Sequence, residues 1–228
     1  MEIVVEPIRF GSGAGFAAGA TSGATQRRLR KMSAHPEDPR VFSQAKILIF
    51  TGLPLSLITT VITLTFIYDY VTGISADIFS LTVPGFITAM SYIFLLHGLF
   101  RRFGVDRDKV WTRFGKLFYR QVRFEEIDRF DVGVQRYKLY AGKTKVNIDY
   151  NRFDYSLVYI RLLEELQYRR FKLQNIDVND LQGEETAQNH RNMFASDVYE
   201  NHRRFYDAHP AELARLNSLV QAPRSYIN

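Results

Sequence analysis

The sequence predicts a membrane protein with three parts. A hairpin of two transmembrane helices comes first, then a cytoplasmic α+β domain built as a curled antiparallel sheet closed by a helix, then a helical C-terminal tail. Three observations carry this reading. Residues 47–68 and 78–100 run for 22 and 23 positions without Asp, Glu, Lys or Arg. From Phe103 onward, apolar residues alternate with polar ones, the period of a strand. From Asp154 the spacing becomes helical, with Leu157, Ile160, Leu163 and Leu166 on one side. The boundaries that follow are an N-terminal arm over 1–44, the hairpin over 45–101, the sheet-and-helix domain over 102–170 and the tail over 171–228.

Each uncharged run exceeds the ~20 residues a helix needs to cross a hydrocarbon core of ~30 Å. Buried helices of a soluble protein are the alternative, but six turns without a charge are rare in them. A cleaved signal peptide fits poorly, because the first run begins only after 46 residues. Average composition conceals the division: 46% hydrophobic residues and a mean hydropathy of −0.18 describe an ordinary soluble chain.

The flanks set the orientation. The first 46 residues hold seven Lys or Arg against four acids, and "DYVTGISAD" between the runs holds no Lys or Arg. After the second run come Arg101, Arg102, Arg107, Lys109 and Arg113. Basic segments stay cytoplasmic, so both termini are expected there, in a two-span protein of the cell membrane. Within the runs, His97 lies about one turn from the exit and reads as interfacial rather than as a proton relay. The hydroxyls Thr51, Ser56, Thr59, Thr60, Thr63 and Thr65 can bond their own helix or pair across an interface. Gly85 and Ala89 have the small-xxx-small spacing, a weak signal alone.

In the arm, Gly13-x-Gly15-x-x-Ala18 matches a dinucleotide fingerprint. That loop must open a helix inside a βαβ unit, and the membrane run at Ile47 leaves no room for one. A flexible Gly/Ala/Ser tract after an apolar "EIVVEPIRF" is the better reading.

Beyond the hairpin, "KVWTRF" (109–114), "LFYRQVRFEEI" (117–127), "DRFDVGV" (128–134), "RYKLYAG" (136–142) and "TKVNIDY" (144–150) read as a meander of strands. Asp154 is placed to cap the helix of "FDYSLVYIRLLEELQYRR". This order of elements resembles the bacterial membrane-anchored pleckstrin-homology-like (PH-like) domain proteins with an N-terminal transmembrane hairpin. The likeness rests on "FGVDRDKVWTRFGKLFYRQVRFEEIDRFDV", with the "KLYAGKTKVNI" hairpin and the Leu-rich helix continuing it over about residues 45–168. It implies a scaffolding role and carries over no catalytic residue.

In the tail, "VNDLQGEET" (178–186) reads as a linker before two helices, 187–209 and 210–220, the second with Pro210 in its first turn. Phe194, Tyr199, Phe205, Tyr206 and Tyr226 are more aromatics than a solvated tail needs. His190, His202 and His209 are 12 and 7 apart, which is no familiar ligand spacing. With no cysteine, thiolate chemistry is excluded.

The expected function is therefore a non-enzymatic, membrane-anchored scaffold or accessory subunit of a larger membrane complex. Its partners would be other membrane protein subunits and membrane lipids, held through the hairpin, the aromatic terminal arms and the PH-like domain. No cofactor, metal or catalytic residue is expected. The alternative is recognition of anionic lipid headgroups, with Arg101, Arg102, Arg107, Lys109, Arg113 and Lys116 as contacts. Nucleic acid is not an expected partner, since 23 basic residues after the second run face 18 acidic ones.

Overall fold

The computed structural model describes residues 32–74, 78–133, 136–149, 153–174, 176 and 181–221. The Gly13–Ala18 tract, "EIVVEPIRF" and Tyr226 lie outside the described residues. The chain divides into two compact units. One comprises Val41–Phe103 with Thr112–Tyr119; the other comprises the segment before Val41, Gly104–Trp111 and everything from Arg120.

The first unit is dominated by α1 (Ala45–Val71) and α2 (Phe79–Phe100). Both are long and apolar enough to cross a membrane. At 1.5 Å per residue, the 24 residues of Leu48–Val71 and the 22 of α2 reach about 36 and 33 Å. Large apolar side chains such as Phe50, Val61 and Phe86 point outward and are exposed, while Ser56, Thr59 and Ser91 are buried between the helices. There the hydroxyls pair: Thr59 Oγ1 with Ser91 Oγ at 3.2 Å, Thr60 Oγ1 with Tyr92 Oη at 3.1 Å, and Thr63 Oγ1 with Thr88 Oγ1 at 2.9 Å. Two glycines permit the close approach. A Cβ on Gly98 would sit 2.5 Å from Leu48 Cβ, and one on Gly52 would touch Leu95 Cα at 3.5 Å. Gly85, by contrast, has open space where its Cβ would be. The Gly85/Ala89 spacing is not what packs this hairpin.

The chain leaves α2 directly into a strand. Strands β1 (Arg40–Phe42), β2 (Arg101–Val105), β3 (Lys109–Phe114) and β4 (Phe118–Arg123) form one four-stranded sheet in that order. A 3₁₀ turn at Phe124–Glu126 follows, and β5 (Arg129–Val132), β6 (Tyr137–Ala141), β7 (Thr144–Ile148) and β8 (Lys172–Leu173) form a second sheet ordered β7-β6-β5-β8. The expectation of one curled antiparallel sheet is corrected twice here. The described strands form two sheets and close no barrel, and β8 joins β5 in parallel, Phe130 opposite Leu173.

The break is held by a residue far along the chain. "RFEEIDRF" is read from sequence as continued alternation, but Phe124 and Ile127 both turn inward and are buried. Arg169, at the end of the following helix, donates to the Ile127 carbonyl at 2.6 Å and also to the Phe124 carbonyl. Backbone groups that a continuing strand would pair are thus satisfied by a side chain.

Helix α3 (Ser156–Tyr168) is covered on most sides. Besides the four leucine and isoleucine positions read from sequence, Val158, Tyr159 and Leu162 are buried. The tail explains this. Helices α4 (Leu181–Asn201), α5 (Arg203–Ala208) and α6 (Pro210–Val220) belong to the same unit as α3 and the second sheet. The Tyr159 ring stacks on Phe194 at 5.6 Å, Phe194 meets Phe130 edge-on at 5.2 Å, and Phe130 meets Tyr137 at 5.2 Å. The expected linker over 178–186 is helical from Leu181, and Glu184 in its first turn pairs with Arg191 at 3.0 Å.

Candidate functional site

Three places concentrate chemistry. The first is the arginine-rich exit of α2. Arg102 donates to the carbonyls of Gly98 at 3.2 Å and Arg101 at 2.8 Å, covering acceptors that the end of a helix leaves open. The Arg101 guanidinium lies 5.1 Å from the Phe103 ring centre and 5.3 Å from that of Phe118. Arg113 and Lys116 are exposed on β3 and the turn after it. These four belong to the hairpin unit, whereas Arg107 and Lys109 fall in the other unit. There Asp106 N–H donates to the Lys109 carbonyl at 2.9 Å, and Trp111 Nε1 donates to Asp106 at 3.0 Å. The six predicted contacts are therefore divided between the units, four and two.

The second place is a buried carboxylate. Asp154 Oδ2 accepts from the Ser33 backbone N–H at 3.1 Å and from Arg40 Nη1 at 3.0 Å. Its Oδ1 accepts from the Ser156 N–H at 3.1 Å and hydroxyl at 2.7 Å, and His202 Nε2 lies 3.3 Å from Oδ2. Burial pushes the Asp154 carboxyl up, but hydrogen bonding and charge from His202, with the Ser156 and Ser33 bonds, outweigh it and hold the carboxyl well below the usual carboxylate range. Sequence reasoning saw only a helix cap here. Tyr155 holds the N-cap position, and Asp154, one residue earlier, accepts the Ser156 N–H as one corner of a knot joining the segment before α1, the start of α3 and the junction of α4 with α5.

Ser, His and Asp together raise the question of a nucleophilic triad. The Ser156 hydroxyl donates to the carboxylate rather than to the imidazole, so His202 is not positioned to take its proton. The geometry is that of a strut. The other histidines have separate partners. His190 is buried against Phe130 and Phe194, its Nδ1 2.7 Å from the Thr186 carbonyl, and burial lowers its pKa. His209 stacks on Phe205 at 4.5 Å. Among the described residues, no three His, Cys, Asp or Glu are grouped to hold a metal.

The third place is an open cleft of about 470 Å³ between α4 and α6. Ala195, Leu213, Leu216 and Val220 give it an apolar floor, and Asn192 and Asn217 are among the amides at its rim. Amides both donate and accept, as a peptide backbone does.

Comparison with known proteins gives no match to this chain, whether against family models, curated proteins or solved structures.

Proposed function

We propose that the chain is a non-enzymatic, membrane-anchored scaffold or accessory subunit of a larger membrane complex. In this reading the hairpin crosses the bilayer, and a PH-like α/β unit is displayed on the cytoplasmic face to hold a neighbouring subunit. The carrying observation is the hairpin itself. Its hydroxyls are turned inward into pairs and its apolar side chains outward, the arrangement lipid demands and water penalises.

A second observation supports the topology independently of charge. Ser33 and Arg40 precede α1, yet they bond Asp154, which follows α2. Glu37 likewise pairs with Arg215 at 2.6 Å. If α1 and α2 both span, their outer flanks must share one side of the membrane.

The docking route proposed for the partner is a different surface from the hairpin and arms read in sequence. The Thr/Ser face of α1 is occupied by α2, and Phe194 and Tyr206 are buried in their own unit. The α4–α6 cleft is the better receptor, for an extended apolar segment of the partner lying along the amide rim. The test is extraction of the full chain in a mild detergent, followed by measurement of particle mass and identification of co-migrating chains. A tag between Tyr70 and Ala76 should be reachable from outside intact cells, and a reporter after Asn228 should be active inside. Leu213→Arg, which fills the half-exposed floor of the cleft with a charge, should release the partner while leaving the chain inserted. A solitary monomer for wild type and variant alike would overturn the subunit reading.

A further inference from the structure

We propose that the β3–β4 turn, Phe114–Tyr119, is an interfacial membrane anchor that lies in the headgroup layer beside the exit of α2 and selects anionic phospholipid. The proposal rests on the membrane-spanning reading of the hairpin and adds a second contact to it.

The turn is fixed to the helix end. Gly115 N–H donates to the Phe100 carbonyl, the last residue of α2, at 3.0 Å. Gly115 adopts φ +53°, a left-handed conformation that glycine takes without strain, and the chain reverses there. The Phe114 ring centre lies 6.0 Å from Phe100 and 6.1 Å from His97. Wherever the end of α2 meets the bilayer surface, this turn meets it too.

The exposed residues have the wrong chemistry for water. Tips of soluble hairpins are polar, but here the sequence is Phe-Gly-Lys-Leu-Phe-Tyr. Leu117 is 83% exposed and Tyr119 52%, with Phe118 exposed beside them. Phe114 and Phe118 stack at 5.9 Å. The patch continues into Leu96, Leu99 and Phe100, the outward apolar face of α2. Aromatic rings at the junction of an apolar helix and a polar domain suit the interfacial layer.

The charge is one-sided. Lys46, Arg101, Arg102, Arg113 and Lys116 all belong to this unit, and its described acid, Asp69, sits near the far end of α1. Lys46 begins α1 at the same end, because Gly98 lies against Leu48. Long basic side chains with apolar stems beside aromatic rings reach lipid phosphates while their stems stay in the apolar layer. Continuity with the outward face of α2 favours lipid over a protein partner as the occupant.

The chain contains no cysteine, so single labels are straightforward. Full-length Leu117→Cys carrying an environment-sensitive fluorophore is placed in nanodiscs of phosphatidylcholine, with and without phosphatidylglycerol. Lipids brominated high in the acyl chain should quench the label, aqueous iodide should not, and phosphatidylglycerol should strengthen the lipid quenching. Neutralising Arg113 and Lys116 to Gln should lower the docked-to-undocked ratio in phosphatidylglycerol about fivefold per charge, the equivalent of ~1 kcal/mol each. Val61→Cys, at mid-helix, serves as the second probe and should be quenched by lipids brominated deep in the chain. Failure at Val61 removes the spanning reading and the proposal together. Deep quenching at Val61 with an iodide-accessible label at Leu117 removes the proposal alone. A Leu117 label shielded from both quenchers means protein covers the turn, which also overturns it.

Discussion

Replacing Asp154 with Asn tests whether the buried knot holds the larger unit together. The substitution keeps volume but removes the charge and turns half of the acceptor set into donors. Asp154 and His202 are almost wholly buried, and Arg40 is only 18% exposed in its side chain, so solvent screens the pair little. An amide NH₂ facing the Ser33 N–H and the Arg40 guanidinium sets donor against donor. Removing one partner of such a buried pair costs ~3–5 kcal/mol, a large share of the ~5–15 kcal/mol that separates folded from unfolded chains. For a chain of this size the loss corresponds to a fall in Tm of roughly 6–20 °C. The assay is thermal unfolding of the full chain in detergent, followed by fluorescence of Trp111, the only tryptophan. Hydrogen exchange over residues 33–42 and 153–166 locates the loss. The pH dependence supplies a sign. The folded carboxyl titrates below its unfolded value of ~3.9. Its contribution is therefore complete above that value and disappears as pH falls through the folded one. The wild type should lose stability in that acid window, and the Asn variant should lack that part of the slope. A variant within about 2 °C of wild type at neutral pH would refute the knot as a stabilising element.

Two further outcomes follow from the geometry. Gly98→Val places a side chain where Leu48 already sits, so oxidation of a Thr59→Cys/Ser91→Cys pair should slow several-fold, and Leu48→Ala should restore it. His190 is held below its usual pKa by burial among Phe130 and Phe194. Its stabilising contribution is present above the unfolded value of ~6.5 and fades as pH falls below it; His190→Phe should therefore flatten the loss of thermal stability between pH 7.5 and 5.5.

Much of the fold was legible because it is written in local period. The uncharged runs became α1 and α2, and the Gly115 and Gly142 turns fell where strand alternation paused. What was not legible depends on residues far apart in the chain. Alternation through Phe124–Ile127 gave no sign that Arg169, more than forty residues later, would take over those carbonyls. The Thr/Ser stripe of α1 was visible, but its partner on α2 was not, because Thr88, Ser91 and Tyr92 carry no pattern of their own. Of the six basic candidates, composition could not tell that Arg107 and Lys109 would separate from the other four. The tail's aromatics marked it as more than a solvated extension, but not what they would cover; its buried Phe194 and Val198 make it part of the core around α3.

The segment before α1 is bonded far along the chain within the larger unit. Sequence order suggests a sheet-and-helix domain that begins after the hairpin and could be cut away from it near Gly104. Residues 33–40 add to that unit, with Ser33 and Arg40 bonded to Asp154 and Glu37 paired with Arg215. Residues 41–103 are thus an insertion in a unit whose chain precedes and continues after them, and the Arg40–Asp154 pair at 3.0 Å closes the whole stretch from residue 40 to residue 154. Closing so long a stretch costs entropy that grows only slowly with its length. Arg40→Gln should therefore loosen residues 33–40 from the larger unit, and faster hydrogen exchange there than in wild type is the expected readout; unchanged exchange would refute the role of the pair.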